Sequence, residues 1–494
     1  MNRYYSFFVA FVSGAIVMIF ELAGTRVVAP YLGNSLPVWT SIIGVILASL
    51  SAGYYLGGRL ADANLKKNML SVLFLFSMLA VGWCVVANYW LLGLINLNYL
   101  NLNIAALLSS IVLFAPAGVG LGMITPYLVR LNLQNIEKSG STVGNLYAVS
   151  TLGSISGTFL AGYYLIPFFG TVQILYGLSA ILFIMYVVAR INKPIIKSVL
   201  LFLFISVLYF VSWGAWHLSV YFLIDDVDTA YARYMIFEDE YKDTGKLSRF
   251  IATDPFGVHG AVLVEDINEP LLPYQGFYVL HQYFNPDSQN ALVLGGGVMS
   301  MARDYINTSS GIVDVVEIDP GLTKIAKEYF YYTDNERIKI IHDDARRYLV
   351  KNKKKYDCIF IDVYSSNLSI PFHLTTVEAL NEIKNDLEPN GVVIANIISA
   401  VIGEKGAFFQ SELATFKEVF PRLHLYQVDS LKNMNEAQNL ILVALNNDVF
   451  VPPQQFNENL HWYLNHEIEA VQEEGIKKLT DNHAPIEYKL LKIF

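Results

Sequence analysis

Two cysteines in 494 residues leave no disulfide framework and no thiolate cluster for a metal. Cys84 stands in an apolar run, and Cys358 in a segment that reads as a buried strand. Charge is scarce as well: only 16% of residues are Asp, Glu, Lys or Arg, and the mean hydropathy is +0.40. The balance of −9 gives no basic face for nucleic acid. The scarcity is also uneven. The first 215 residues are nearly devoid of charge, whereas the rest has the polarity of an ordinary globular protein. A chain of this length exceeds one ordinary core, so two or three domains are expected.

What fills the first part is apolar sequence in lengths that cross a bilayer, about 20 residues each. Seven such stretches are expected: 5–29, 38–60, 69–92, 104–128, 143–166, 172–188 and 199–216. The first is too long and too lightly flanked for a cleaved leader. Lysine and arginine gather after the second (Arg59, Lys66, Lys67), the fourth (Arg130, Lys138) and the sixth (Arg190, Lys193, Lys197). The positive-inside rule makes those loops and the amino terminus cytoplasmic. Seven crossings then put residues 217–494 outside, although nucleoside cosubstrates are made in the cytosol; the sequence leaves the side open. Glu21 and Arg26 lie in or at the end of the first span, as a structural ion pair, a snorkelling arginine or a polar solute site. The small-residue runs SAGYYLGG and GSISGTFLAG suit close helix packing.

In the second part, strands are expected at 231–239, 247–254 and 259–265, forming a β-rich lead-in over 217–285. Strands and helices then alternate over 286–450, with strands near 291–295, 312–318, 337–342, 356–363, 391–397, 422–428 and 438–445. This pattern predicts a doubly wound, mainly parallel sheet closed by an antiparallel pair. Residues 451–494 read as an amphipathic helical tail. Within Ala291–Pro320 an apolar strand meets Gly295, Gly296 and Gly297, then a helix, then a strand ending in Glu317. Glycines admit positive φ and close approach, and an acid closing the second strand can accept from both ribose hydroxyls. The combination marks a nucleoside crevice. Asp343 and Asp344 follow the third strand, where an acid either reads an adenine amino group or caps the next helix; Asp344 is favoured for the adenine and Asp343 for the cap. Asp362 closes an apolar strand, which is costly without a partner and points to a site. Asp357, at the far edge, reads as structural. Tyr364 is the next polar group on the loop, core or site equally.

Together these residues resemble the polyamine aminopropyltransferases, the spermidine synthase family, from about Asp228 to about Ala400. The amino-terminal half, with ELAGTRVVAPYLGNSLPVWTS and GYYLGGRLAD, is similar to the membrane-fused spermidine synthase-like proteins of bacteria. The resemblance implies a multi-span α-helical membrane domain (1–216) joined to an α/β Rossmann-like, methyltransferase-type domain with a small β-rich lead-in. It implies that Tyr274 and Gln275 line the amine pocket and touch the nucleoside's aminopropyl tail. It also implies that Gly295, Gly296 and Gly297 form the nucleoside loop, that Glu317 holds the ribose, that Asp344 reads the adenine and that Asp362, helped by Tyr364, deprotonates the attacking amine. Pro371, Leu374 and Thr376 resemble the segment after that loop.

The cosubstrate so implied is decarboxylated S-adenosylmethionine, or S-adenosylmethionine itself, with no metal. The partners are a polyamine or other small amine and the lipid bilayer, with no nucleic acid; a homodimer rests on resemblance alone. The location implied is the inner membrane of the cell, crossed several times. Three departures stand against the family pattern. Val298 replaces the aspartate that holds the aminopropyl amine, Ser365 replaces the second aspartate of D-x-x-D-P with no proline after it, and Ala232 replaces a glutamine. An S-adenosylmethionine-dependent methyltransferase and a non-catalytic sensor or transport-linked protein are the alternatives.

Overall fold

A computed structural model describes residues 3–493 except 34, 64, 66, 95–100, 134–138, 191–195, 197–198, 201, 204–205, 208–209, 212–222, 243, 254–257 and 364–369. The chain forms two compact units, Met1–Tyr234 and Met235–Phe494. The boundary therefore falls later than the expected 216, inside a strand.

Among the described residues, the first unit has six helices long and apolar enough to cross a membrane. They are α1 (Arg3–Leu32), α2 (Leu36–Ala63), α3 (Lys67–Leu94), α4 (Leu102–Asn132), α5 (Ser139–Leu160, prolonged by a π turn and one further turn to Phe168) and α6 (Thr171–Ala189). The glycine runs act as the sequence suggests. A Cβ at Gly153 would stand 1.9 Å from the carbonyl oxygen of Phe11, and one at Gly157 2.5 Å from that of Ala15, so α5 lies directly on α1. Gly53 and Gly57 bring α2 equally close to Val119 and Met123 of α4. Small residues allow such approach where no hydrophobic drive separates helix from lipid.

The ends of these helices are sorted by chemistry. Arg3, Arg59, Arg130 and Arg190 all fall at one end of the alternating bundle, where Arg130 pairs with Asp62 at 3.2 Å and Ser6 donates to Asn132. At the opposite end Arg26 does not pair with Glu21. Its guanidinium donates to the carbonyls of Thr229 (2.7 Å) and Ala230, after strand β1 (Leu223–Asp228). There too, the first N–H of α6 donates to the carboxylate of Asp228 at 2.9 Å. Both contacts satisfy groups that an apolar helix end would otherwise leave bare. β1, LIDDVD, escapes sequence reading because its acids hide any alternation. Most of the seventh apolar stretch lies outside the described residues. Those described (199, 200, 202, 203, 206, 207, 210 and 211) are helical.

The second unit begins within β2 (Arg233–Glu240), which pairs antiparallel with β3 (Leu247–Ala252), and β3 with β4 (Gly260–Leu263). After a 3-10 segment, Pro273–Leu280, the alternating part follows. It comprises β5 (Asn290–Leu294), α7 (Ser300–Thr308), β6 (Ile312–Val316), α8 (Pro320–Tyr329), β7 (Ile338–Ile341), α9 (Ala345–Lys351), β8 (Tyr356–Ile361), α10 (Val377–Asn385), β9 (Leu387–Ser399), α11 (Ala407–Val419), β10 (Arg422–Gln427) and β11 (Gln438–Leu445). The sheet order is β12-β10-β11-β9-β8-β5-β6-β7, where β12 is Glu467–Ile468. Neighbours from β9 to β7 are parallel and those from β9 to β12 antiparallel, as the pattern predicts. The inner strands are buried on both faces, which is why they read as unbroken apolar runs. Winding reverses between β5 and β8, and ligands bind at that reversal in such sheets.

The segment beyond Pro453 is not an amphipathic helix. It holds two single-turn helices (Leu460–Leu464, Ile486–Leu490) and β12, which covers the free edge of β10. Covering an exposed edge outweighs the weak helical period there.

Candidate active site

At the reversal point β5 ends in the three glycines. Gly295 has φ +90°, and a Cβ there would lie 2.3 Å from the backbone oxygen of Asp362, so the glycine loop touches the end of β8. Gly297, at φ +50°, has nothing within 4 Å of a would-be Cβ; its outer face is open. Glu317 closes β6 and is buried. One carboxylate oxygen accepts from the N–H of Gly296 (2.8 Å) and Gly297 (3.4 Å), the other from the N–H of Asp319 (2.8 Å). Burial pushes its carboxyl upward while these three donors pull the other way. The acid thus fixes the loop, and the oxygen that accepts only from Asp319 keeps a lone pair for a ligand hydroxyl. Open space at Gly297 beside this acid is what a ribose requires.

The two acids after β7 exchange one expected role. Asp344 is the N-cap of α9, accepting from the N–H of Arg347 at 2.9 Å, and its other oxygen lies 3.4 Å from His373 Nε2. Asp343 instead accepts from the Asp344 N–H and pairs with the Arg347 side chain one turn on. The cap belongs to the residue directly before the helix, which is Asp344. Asp357 takes the N–H groups of Gln289 and Asn290 at 2.9 Å each, at the far edge of the sheet.

Asp362 is the centre of the polar cluster. Asn396 of β9 donates to it at 3.0 Å and itself accepts from Asn439 of β11 at 2.9 Å. The hydroxyls of Tyr278 and Tyr274 and the charge of His259 lie close enough to the same carboxylate to favour its ionised form. His259 is held by Thr253 through a 2.8 Å hydrogen bond. Burial pushes the Asp362 carboxyl up to about 6, against the pull of Asn396, Tyr278, His259 and Tyr274. An acid so placed is mostly ionised at pH 7 and can take a proton.

Tyr274 therefore points at Asp362. Its neighbour Gln275 is buried and turns its amide oxygen back to the N–H of Leu272 at 3.2 Å, closing its own turn. Tyr364 and Ser365 lie outside the described residues. Val298 is 3% exposed and packs on Gly260 of β4, where a Cβ would meet its methyl at 3.0 Å. Sequence reasoning misses Tyr278, His259 and Asn396. Only Asn396 leaves a signal, as one polar residue inside the apolar run GVVIANIIS.

Residues 279–445 match the family model of the spermine/spermidine synthase domain. The second unit carries a spermidine synthase-like domain. A polyamine aminopropyltransferase of Vibrio vulnificus is 32% identical over 178 residues, 35% of this chain and 56% of that protein. Polyamine aminopropyltransferase 1 of Streptomyces coelicolor is 23% identical over 420 residues, 79% of this chain and 75% of its own length. The chain thus spans about half of the first relative and three quarters of the second, and a match over 79% of this chain extends into the helical half. A solved structure, a probable spermidine synthase from Corynebacterium glutamicum, covers 51% of this chain and 95% of its own at 20% identity and a TM-score of 0.40. Within the synthase-like domain, the matched segment contains the glycine loop, Glu317, Asp344, Asp362 and Asn396; Tyr274 and His259 precede it.

Proposed function

We propose that this chain is a membrane-embedded aminopropyltransferase acting on decarboxylated S-adenosylmethionine and a small amine such as putrescine. The observation that carries the reading is the joint at the sheet reversal: the half-buried base Asp362 abuts the glycine loop that Glu317 holds open. In the reaction the amine nitrogen attacks the propyl carbon bonded to the sulfonium. The N–C bond forms, the C–S bond breaks with its electron pair staying on sulfur, and methylthioadenosine leaves neutral. The proton lost by the amine goes to Asp362. That acceptor is needed because an alkylammonium near pKa 10.4 is neutral only about once in 10³ molecules at pH 7. Glu317 would orient the ribose, Asp344 the adenine, Gln275 the wall of the pocket, and Tyr274 the amine beside Asp362. Positioning supplies much of the remaining acceleration. The purified chain given both substrates should release methylthioadenosine in proportion to putrescine. Absence of release, or release of S-adenosylhomocysteine when S-adenosylmethionine is supplied instead, overturns the proposal; the second outcome is what the apolar Val298 would favour.

The same proposal has the chain leave the helical unit on the side opposite the basic loops. Within the first unit, β1 and the residues after it are tied to the Arg26 end of α1 and the first turn of α6, away from Arg3, Arg59, Arg130 and Arg190. Reaching that end from Arg190 requires a seventh crossing. Tyr176 meets Ser206 at 2.7 Å and Phe183 stacks on Phe202 at 4.6 Å, so Phe202 and Ser206 follow one another toward the start of α6. With the basic loops cytoplasmic, the site lies outside and draws its nucleoside from there. Alkaline phosphatase joined to the carboxyl terminus should be active in intact cells, and a green fluorescent protein in that position dark; the reverse pair sinks the assignment.

A further inference from the structure

Glu412 of α11 takes no part in the chemistry above, yet it is 4% exposed and its Oε1 has no hydrogen-bond partner. It lines a narrow cavity of about 30 Å³. The walls include Ile361, Ile370, Phe408 and Phe416, and the other polar residues on the lining are Thr375 and Asn396. Both of those are committed: Thr375 donates to the carbonyl of Phe372 at 2.8 Å, and the Asn396 amide is shared between Asp362 and Asn439. Among the described lining residues, Glu412 is the acid, with one oxygen unpartnered in a mainly apolar slot.

Such a slot selects its occupant. A hard cation needs about six oxygen donors, and one free carboxylate does not provide them. Water fits by size, but an ordered buried water seeks about three polar partners. A primary alkylammonium carries the countercharge that water lacks, and its last methylenes suit the apolar walls of Ile361, Ile370 and the two phenylalanines. The pair then offsets the cost of an isolated buried acid. Side chains alternate across β9, and Ala395 and Ile397, which face the cavity, belong to the core under α9, α10 and α11. The Asn396 side chain instead reaches Asp362. The cavity is therefore on the other face of the sheet from the reacting centre.

We propose that the Glu412 cavity is a second amine site, binding the end of a primary alkylammonium or polyamine chain as an ion pair, separate from the site at Asp362. Burial pushes the Glu412 carboxyl well up while the cavity is empty, so ligand entry would draw a proton from it. The test titrates the full-length chain in detergent with propylamine by calorimetry, in an Asp362→Asn background whose acceptor site has lost its carboxylate. Propylamine should bind this protein, and adding Glu412→Gln or Glu412→Met should weaken the binding at least 10-fold, with a melting temperature equal to or above that of the Asp362→Asn parent. No binding in the parent, or equal binding after either Glu412 change, overturns the proposal. No nucleoside or turnover enters the measurement, so failure of the aminopropyl-transfer reading would leave the result intact, and the reverse also holds.

Discussion

Asp362→Asn should lower turnover by roughly 10²–10⁴, the range of a lost general base, while the protein melts no earlier than the wild type at pH 7.5. The two halves of this outcome come from one cause. The folded-state carboxyl is raised to about 6, above an unfolded value near 3.9. A raised acid gives the fold an advantage that is complete below the unfolded value and lost as pH rises through about 4 to 6. At pH 7 the ionised Asp362 therefore burdens the native state by about 3 kcal/mol, at 1.36 kcal/mol per pH unit of displacement. Asparagine removes that burden and can still accept from Asn396. The wild-type kcat/KM should rise with pH through about 6, as the base loses its proton, and the variant should lack that acid limb. A variant that loses activity and melts well below the parent, with the limb unchanged, would make Asp362 a scaffold group and move the base elsewhere. Circular dichroism melts and a pH series of methylthioadenosine release decide the matter.

Sequence and structure agree where one physical rule dominates and part where several compete. The parallel strands were legible because burial on both faces forces unbroken apolar runs, as in Leu292–Leu294 and Ile359–Ile361. The helix contacts through Gly153 and Gly53 were legible because only small residues let helices touch so closely. Glu317 was legible because an acid at the end of such a strand has no other inexpensive use. The partners of Asp362 were not. Tyr278, His259 and Asn396 come from the 3-10 segment, the approach to β4, and β9, and only the closed sheet brings them together. Nor does one sequence choose between adjacent acids: Asp344 rather than Asp343 became the cap because α9 begins at Ala345. The fate of Arg26 was equally hidden, since its partners are two backbone carbonyls about two hundred residues away, and carbonyls carry no sequence signal.

The glycine loop allows scaffold and ligand contact to be separated by two substitutions two residues apart. Gly295→Ala should cost about 2–5 kcal/mol. The left-handed conformation contributes about 1–2 of this, and a Cβ forced to 2.3 Å from a backbone oxygen adds about 1–3 as overpacking. Neither neighbour can yield cheaply, because β5 and β8 are paired along Ala291–Leu294 and the obstructing atom belongs to the backbone of Asp362. The expected result is a lower melting temperature with activity lost in parallel, since displacing that carbonyl also displaces the base. Gly297→Ala meets no atom and should cost only the local strain of its φ of +50°, about 1 kcal/mol. Its methyl would nevertheless stand in the open space beside Glu317, where the ribose is proposed to lie. Its melting temperature should change little, while affinity for methylthioadenosine, read by calorimetry, falls at least 10-fold. If Gly297→Ala bound the nucleoside as tightly as the parent, the open face would not be the ligand's seat, and the role proposed for Glu317 would fall with it.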